Sequence, residues 1–273
     1  MILTNDNKYE ESRRKQLKID EFNSVEHPFM EQLKELGWNA AANEVIELHL
    51  QQQPSESFRT LFSEVVLMPK LRKALKQIND FLTDSQIDEV ANRITAYQGG
   101  TLLENNERIF NLLVEGTSVS RNEKTGEQSP SVRYIDFDHP ENNIFTAISQ
   151  FKVAIPGTDH HIIPDIVLFL NGLPIVVVEA KSPKVSEPLP EAIDQLMRYS
   201  EQRGDTGEGN PALFQYNQFL IVTCRNEAKA GTITTHREKY FYRWTDPYPM
   251  TLNALKHGQS APNDQQRLVA GML

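Results

Sequence analysis

Two apolar stretches joined by Asn171-Gly172 constrain the fold of this 273-residue chain more than any other feature. The first, IIPDIVLFL, covers residues 162–170, and the second, LPIVVVEAK, covers residues 173–181. Short runs rich in Val, Ile and Leu on either side of a turn signal are typical of paired β-strands. The pattern therefore predicts a hairpin within the buried sheet of the protein.

Each predicted strand carries a carboxylate beside its apolar residues, Asp165 in the first and Glu179 in the second. A buried carboxylate without a partner is costly, so both positions require an explanation. Two simple explanations are open: Glu179 and Lys181 form an ordinary ion pair at a strand end, and Asp165 ends its strand. Taken together, the residues are better explained as a Mg²⁺ site, because Mg²⁺ prefers carboxylate and phosphate oxygens. Lys181 would then orient the attacking water and offset the charge that builds up on phosphorus.

The metal site makes a demand on the pairing of the two strands. With a two-residue Asn-Gly turn and regular pairing, Asp165 faces Val178, and Glu179 points to the other side of the sheet. One extra residue, in a three-residue loop or in a bulge, shifts the pairing and brings Asp165 and Glu179 to the same face. We therefore predict a bulged hairpin, or an equivalent bulge within either strand.

The rest of the pattern predicts an α/β fold, with a central mixed sheet flanked by helices and an N-terminal helical subdomain. The first 95 residues or so predict helices only, including one over 57–79 that Pro69 interrupts. Beyond them we expect helices over 102–115 and 191–203, and strands over 132–137, 144–155, 218–224 and 231–235.

Composition and missing motifs exclude several functional classes. A single cysteine, Cys224, excludes an internal disulfide and any multi-cysteine zinc site. No apolar run approaches the roughly 20 residues of a membrane span, and the N-terminus turns polar at once, so a cytoplasmic protein is expected. The signatures of P-loop, dinucleotide-binding and nucleophile-elbow enzymes do not occur. The net charge of −9 argues at first sight against nucleic-acid binding.

The motif PD-(x)13-ExK, followed by a helix with QxxxY, resembles the PD-(D/E)xK nuclease superfamily. More narrowly, the chain resembles the N-terminal nuclease region of the motor (R) subunit of type I restriction–modification enzymes. The matching text includes YIDFDHPENNIFTAISQFKV, PDIVLFLNGLPIVVVEAKSP, EAIDQLMRYSEQ and AGTITTHREKYFYRW. This resemblance covers roughly residues 100–250 and implies a restriction-endonuclease-like core.

Carried over to this sequence, the resemblance implies Asp165 and Glu179 as metal ligands and Lys181 as the catalytic lysine. Gln195 and Tyr199 match QxxxY, and their i, i+4 spacing on a helix lets both reach the same site. Further roles are implied by the neighbourhood of the motifs: a DNA-phosphate contact for Arg198, and an upstream helical acid supplied by Glu104 or Glu107. The chain departs from the family at Ile163, where an arginine is common before Pro-Asp.

The same resemblance implies Mg²⁺ as cofactor, with ATP used only in a motor region that these residues lack. It divides the chain into an N-terminal helical region packed on the core (1–98), the endonuclease domain (99–250) and a junction toward the motor (251–273). The implied partners are double-stranded DNA and the modification (methyltransferase) and specificity subunits, with no membrane. Cleavage would be non-specific, because other subunits read the DNA sequence.

Two alternatives remain open from the sequence. One is a non-catalytic, nuclease-like interaction or scaffold domain within a DNA-processing complex. The other is a Mg²⁺-dependent phosphohydrolase that acts on a small phosphate ester in a closed pocket.

Overall fold

A seven-stranded mixed sheet forms the centre of the computed structural model, which describes residues 13, 15–18, 20–49, 51–96, 99–256 and 260–273. The strands lie in the order β1-β4-β7-β8-β9-β10-β11, with β1 parallel to β4, β8 parallel to β9, and the other neighbours antiparallel. Their bounds are Glu44–Ile46 (β1), Phe145–Ser149 (β4), Ile166–Leu170 (β7), Leu173–Ala180 (β8), Phe219–Thr223 (β9), Ala228–Gly231 (β10) and Tyr242–Arg243 (β11). Two short pairs lie outside this sheet: Thr117–Ser118 (β2) with Ser131–Val132 (β3), and Val153–Ala154 (β5) with His161–Ile162 (β6).

Helices flank the sheet, and most of them begin at a residue that suits a helix start. They are His27–Leu33 (α1, between wide helical turns Phe22–Glu26 and Lys34–Trp38), Met68–Ile78 (α2), Asp84–Thr95 (α3), Leu102–Glu115 (α4), Pro188–Tyr199 (α5), Pro211–Phe214 (α6) and Asp264–Met272 (α7). Thr83 and Thr101 cap α3 and α4 through capping boxes. Pro69 lies in the first turn of α2, where its missing N–H costs no hydrogen bond. The predicted helix over 57–79 is therefore wrong in its first half, because Pro69 begins a helix instead of interrupting one.

Both faces of the sheet are buried, which explains why its central strands are almost continuously apolar. One face packs against α1 and α7 in a cluster that includes Phe29, Met30, Leu33, Leu268 and Val269 with Ile166, Leu168, Val176, Val178 and Ile221. The opposite face packs against α2 and α5 in a cluster that includes Leu71, Leu75, Leu196 and Tyr199 with Val167, Phe169, Val177, Leu220 and Val222. The α/β fold with a central mixed sheet flanked by helices is confirmed.

The β7–β8 hairpin contains the predicted bulge, within β8. Leu170 pairs with Leu173 across a two-residue turn in which Asn171 and Gly172 both have positive φ, 54° and 81°. The pairing then shifts by one residue, since Phe169 faces Pro174 while Leu168 faces Val176 and leaves Ile175 unpaired. Beyond the bulge Ile166 faces Val178, the last pair of the ladder, and the same register continued by one residue sets Asp165 opposite Glu179.

Two long strands expected from the sequence are broken, and one is displaced. The stretch 144–155 divides into β4 and β5 at Gln150, which has a φ of 51°. The stretch 162–170 divides into β6 and β7, because Pro164 has no N–H to donate to a ladder. The strand expected over 231–235 is wrong: β10 covers Ala228–Gly231, and the next residues form a turn.

Residues of the predicted N-terminal helical region also take part in the sheet. Strand β1, Glu44–Ile46, pairs with β4 at the edge of the sheet. Helix α1 packs on the face of the sheet that contains Ile166 and Val178. The proposed division into 1–98, 99–250 and 251–273 stays a prediction. Within the described part of the chain, no helix combines the length and apolar character needed to cross a membrane.

The tight turn at Asn171-Gly172 provides a test of how the hairpin is packed. A Cβ at Gly172 would lie 2.5 Å from the Leu67 carbonyl oxygen and 2.8 Å from the Leu71 nitrogen, whereas one at Gly204 (φ 101°) would meet nothing within 4 Å. We expect Gly172→Ala to lower the free energy of unfolding by about 3 kcal/mol, through both positive φ and overpacking. Gly204→Ala, the matched control, should cost only about 1 kcal/mol because positive φ alone acts there. Equal losses for the two variants in urea unfolding would contradict this packing.

Candidate active site and metal centre

Asp165, Glu179 and Lys181 converge where β7 begins and β8 ends. All three side chains are buried, with exposed fractions of 6%, 0% and 5%. Asp165 comes directly before β7, Glu179 is the penultimate residue of β8, and Lys181 follows that strand. The bulge in β8 places both carboxylates on one face, since residues opposite each other in a ladder share a face. Without that extra residue the two acids would lie on opposite sides of the sheet.

The ion pair that the sequence left open is present, but it satisfies only part of Glu179. Lys181 Nζ donates to Glu179 Oε1 at 2.8 Å and to the Ala180 carbonyl at 2.9 Å. The other carboxylate oxygen, Glu179 Oε2, is buried and accepts no hydrogen bond from any residue that the structure describes. Such an atom is rare in a folded protein, because an unsatisfied buried acceptor loses its hydration without compensation. The ion pair alone therefore does not explain this residue.

Asp165 is held by one donor on each oxygen. Its Oδ2 accepts from the backbone N–H of Ala180 at 2.7 Å, and its Oδ1 accepts from Gln150 Nε2 at 3.3 Å. The simple explanation that Asp165 ends a strand is wrong, because β6 ends at Ile162 and Asp165 lies directly before the first residue of β7. The carboxylate points into the site and not into solvent.

Two further acids, which the sequence analysis missed, come from the N-terminal helical segment. Oxygen atoms of Glu21, Glu26 and Asp165 all lie within 4.8 Å of one another. Glu21 Oε2 accepts from the backbone N–H of Ser182 at 3.1 Å, and Glu26 Oε2 accepts from Gln150 Nε2 at 2.8 Å. A signal for Glu26 exists in the sequence. It occupies a position on the same helical stripe as three buried apolar residues, Phe29, Met30 and Leu33.

The structure does not bring Glu104 or Glu107, the acids expected upstream, to this site. Both are exposed on α4, and Glu104 is engaged in the capping box with Thr101. Asn106 on the same helix donates to the carbonyls of Gln215 and Asn217, which precede β9. Because β9 runs parallel to β8, this helix contacts the end of the sheet opposite Glu179. The helical acids near Asp165 are instead Glu21 and Glu26.

Gln195 and Tyr199 lie beside the carboxylates, on the α5 side of the sheet. Gln195 Nε2 donates to Tyr199 Oη at 2.8 Å, and Tyr199 Oη donates to the Ile163 carbonyl at 3.4 Å. Burial and the charges of Glu179 and Asp165 raise the pKa of Tyr199, so its hydroxyl stays neutral. Arg198 is half-buried, with its guanidinium carbon 5.0 Å from the centroid of the Tyr199 ring. Its contact with DNA phosphate stays a prediction.

Burial and mutual repulsion dominate the electrostatics of the cluster. Burial, reinforced by the charge of Asp165, raises the pKa of Glu21 to about 7 and that of Glu26 to about 9. The same two causes raise the pKa of Glu179 well above its ordinary value, and burial also raises that of Asp165 against the opposing charge of Lys181. Burial disfavours the ammonium form of Lys181, but the charges of Glu179 and Asp165 outweigh it and raise the pKa.

His27, Glu31 and Glu47 form a second group of potential metal ligands, but here a lysine already pairs with both acids. Lys34 Nζ lies between its two acids, 2.6 Å from Glu31 Oε1 and 2.7 Å from Glu47 Oε1. His27 and Glu31 are exposed to solvent. The group is a surface ion-pair network, and nothing in it calls for a metal ion.

Comparisons with known proteins show the family of the chain. A subunit of Haemophilus influenzae named as the endonuclease subunit of the type I restriction enzyme HindI is 30% identical over 219 residues, 80% of this chain and 20% of that protein. The type I restriction enzyme SsaAORF53P endonuclease subunit of Staphylococcus saprophyticus is 28% identical over 236 residues, 85% of this chain and 22% of its own. The chain thus spans about one fifth of the length of these relatives. The family model described as the type I restriction enzyme R protein N terminus matches residues 18–239, and the chain therefore belongs to that family.

Proposed function

We propose that this chain is the Mg²⁺-dependent DNA endonuclease module of a type I restriction enzyme R subunit. The observation that carries the proposal is Glu179 Oε2, a buried carboxylate oxygen with no donor among the described residues, in a cluster that also contains Asp165 and Lys181. The names of the relatives, which are endonuclease subunits of type I restriction enzymes, support the reaction class.

The donor atoms of the cluster fit a hard divalent cation. Four buried or half-buried carboxylates (Glu21, Glu26, Asp165, Glu179) lie near the ammonium group of Lys181. Oxygen-only ligand sets of this kind suit Mg²⁺ better than softer metals. Asp165 and Glu179 would hold the ion, with Glu26 and Glu21 as additional carboxylates on the helical side. A cation here would also favour the ionised forms that burial opposes.

The bound ion would supply Lewis-acid polarisation of the phosphate and a lowered pKa of bound water. The residues of the chain supply the rest of the proposed mechanism. Lys181, whose ammonium is held by Glu179 and the Ala180 carbonyl, orients the attacking water and offsets negative charge on the phosphate oxygens. Tyr199 and Gln195 hold each other through their side chains and form the wall of the site on α5. Arg198 is the residue on that wall proposed to contact DNA phosphate.

The acidic composition is compatible with this proposal if the chain does not bind DNA alone. With a net charge of −9, long-range attraction to DNA must come from elsewhere in the complex. We propose that the modification and specificity subunits, together with an ATP-driven motor region, deliver double-stranded DNA to this site. Cleavage would then be non-specific in sequence, because recognition belongs to other subunits.

The catalytic proposal is tested with Lys181→Ala in the assembled restriction enzyme. We expect plasmid cleavage to fall by about 10²-fold or more, since the variant removes the cation at the scissile phosphate. Lys184→Ala is the matched control, because Lys184 lies three residues away, is 65% exposed and pairs with Asp20. Asp165→Ala should abolish divalent-cation binding in calorimetry.

Full plasmid cleavage by the Lys181→Ala enzyme would contradict the mechanism and favour a scaffold role for the domain. Hydrolysis of small phosphate esters by the wild-type chain, lost in Asp165→Ala, would instead favour a phosphohydrolase.

A second test uses the raised pKa of Glu26 in metal-free protein. The folded chain keeps its proton up to about pH 9, whereas the unfolded chain releases it near pH 4.5. Between these values unfolding releases a proton, so stability falls as the pH rises. Glu26→Gln removes this loss, and we expect its stability to exceed that of wild type by an amount that grows with pH above 4.5, at most about 1.4 kcal/mol for each pH unit, and to equal it near pH 4.5.

The measurement is urea unfolding in the presence of a chelator, with the exposed Glu123→Gln as control. Addition of Mg²⁺ should stabilise the wild type at pH 8 more than the Glu26→Gln variant, because a ligand that binds only the folded state stabilises it. A stability difference between wild type and Glu26→Gln that does not change with pH would contradict the assignment of Glu26 to the buried cluster.

A further inference from the structure

Gln150 lies at the break between β4 and β5 and has an unusual backbone conformation. Its φ is 51°, in the left-handed region that residues with a Cβ adopt at a cost. Its backbone N–H donates to the Asp165 carbonyl at 2.7 Å, and the next N–H, that of Phe151, donates to the Pro164 carbonyl at 3.1 Å. The break in the strand is thereby anchored directly to the segment that carries Asp165.

The side chain of Gln150 joins two carboxylates that come from different parts of the fold. Its Nε2 donates to Glu26 Oε2 at 2.8 Å and to Asp165 Oδ1 at 3.3 Å. A primary amide has two N–H groups, so one nitrogen can serve both oxygens at once. Glu26 belongs to the N-terminal helical segment and Asp165 to the central hairpin, 139 positions later in the chain.

The chemistry of the amide suits a site that has to receive a cation. Two adjacent carboxylates repel each other, and hydrogen bonds to their charged forms reduce that repulsion. A lysine or arginine at this position would do the same, but its charge would compete with a metal ion. A neutral double donor holds the acids together and leaves their negative charge available. The ammonium group of Lys181 is already committed to Glu179 Oε1.

From these contacts we infer that Gln150 is a positioning residue, whose side-chain amide holds the carboxylates of Glu26 and Asp165 in the arrangement that binds the divalent cation. The inference rests on the proposed function, because it concerns the same metal centre. The left-handed backbone at Gln150, at the point where β4 ends, would then direct the side-chain amide toward the two acids.

The substitution Gln150→Asn separates this role from a structural one. Asparagine tolerates the left-handed conformation better than most residues, so the backbone at the break is retained. Its amide is one methylene shorter and cannot bridge both carboxylates at the observed positions. Gln150→Met is the second variant, because it keeps the length of the side chain and removes the donor. Gln128→Asn, at an exposed glutamine whose side chain donates to the Gly126 carbonyl, is the matched control.

The affinity of the full chain for Mg²⁺ and Mn²⁺ is measured by calorimetry, and the unfolding midpoint is measured separately in chelator. We expect Gln150→Asn and Gln150→Met to weaken both ions about 10- to 100-fold, as substitutions behind metal ligands do. Gln128→Asn should bind like wild type, and Gln150→Asn should still unfold cooperatively in chelator, with a somewhat lower midpoint because the two buried acids lose their shared donor. The inference is overturned if both Gln150 variants bind Mg²⁺ and Mn²⁺ as tightly as wild type does. It is also overturned if the variants have a lower unfolding midpoint in chelator but unchanged affinity for the two ions.

Asp165→Ala distinguishes this result from a failure of the proposed function. If wild type binds Mg²⁺, Asp165→Ala does not, and both Gln150 variants bind like wild type, only the role of Gln150 is refuted. If wild type and Asp165→Ala bind Mg²⁺ equally, or wild type does not bind it at all, the metal centre is refuted and the role of Gln150 with it.

Discussion

The single extra residue in β8 is the constraint on which the site depends. Ile175 has no partner in β7, and from that point the register of the hairpin is shifted by one residue. Because side chains alternate between faces, this shift decides whether Asp165 and Glu179 meet or lie on opposite sides of the sheet. The buried turn at Asn171-Gly172 holds the hairpin in place, since Asn171 bonds the backbone of Ile144 and Tyr134.

Apolar packing brings the remaining acids to the same place. Phe29 and Met30 belong to the cluster on the face of the sheet formed by Ile166, Val176 and Val178, and this contact positions the N-terminal helical segment. Glu26 and Glu21 are thereby buried against Asp165, which on electrostatic grounds alone is unfavourable. Burial of the apolar residues offsets that cost, while Gln150, Lys181 and the backbone N–H groups of Ala180 and Ser182 satisfy part of the carboxylates. Unfavourable local electrostatics supported by the surrounding fold are characteristic of functional sites.

The errors of the sequence interpretation have physical causes. The strands over 144–155 and 162–170 looked continuous because apolar residues recur along both stretches, and composition does not reveal a local left-handed residue such as Gln150. Both breaks lie next to residues of the cluster: Gln150, which supplies a hydrogen-bond donor, and Asp165, which supplies a carboxylate. The helical acids were sought on α4, where Glu104 serves a capping box, because sequence spacing does not tell which helix packs near Asp165.

The sequence by itself determined the α/β class, the hairpin, the need for a bulge, and the family to which the chain belongs. These follow from local patterns: apolar runs, a turn signal, and carboxylates in positions that a core does not tolerate without a partner. Only the tertiary structure decided that the bulge lies at Ile175, that Glu21 and Glu26 join the cluster, and that Gln150 bridges two of its acids. Glu21 and Glu26 reach the cluster through contacts with residues more than a hundred positions away, and their place there depends on how the helices pack onto the sheet. The position of the bulge and the contact between Gln150 and Asp165 depend on local backbone geometry that residue patterns do not reveal.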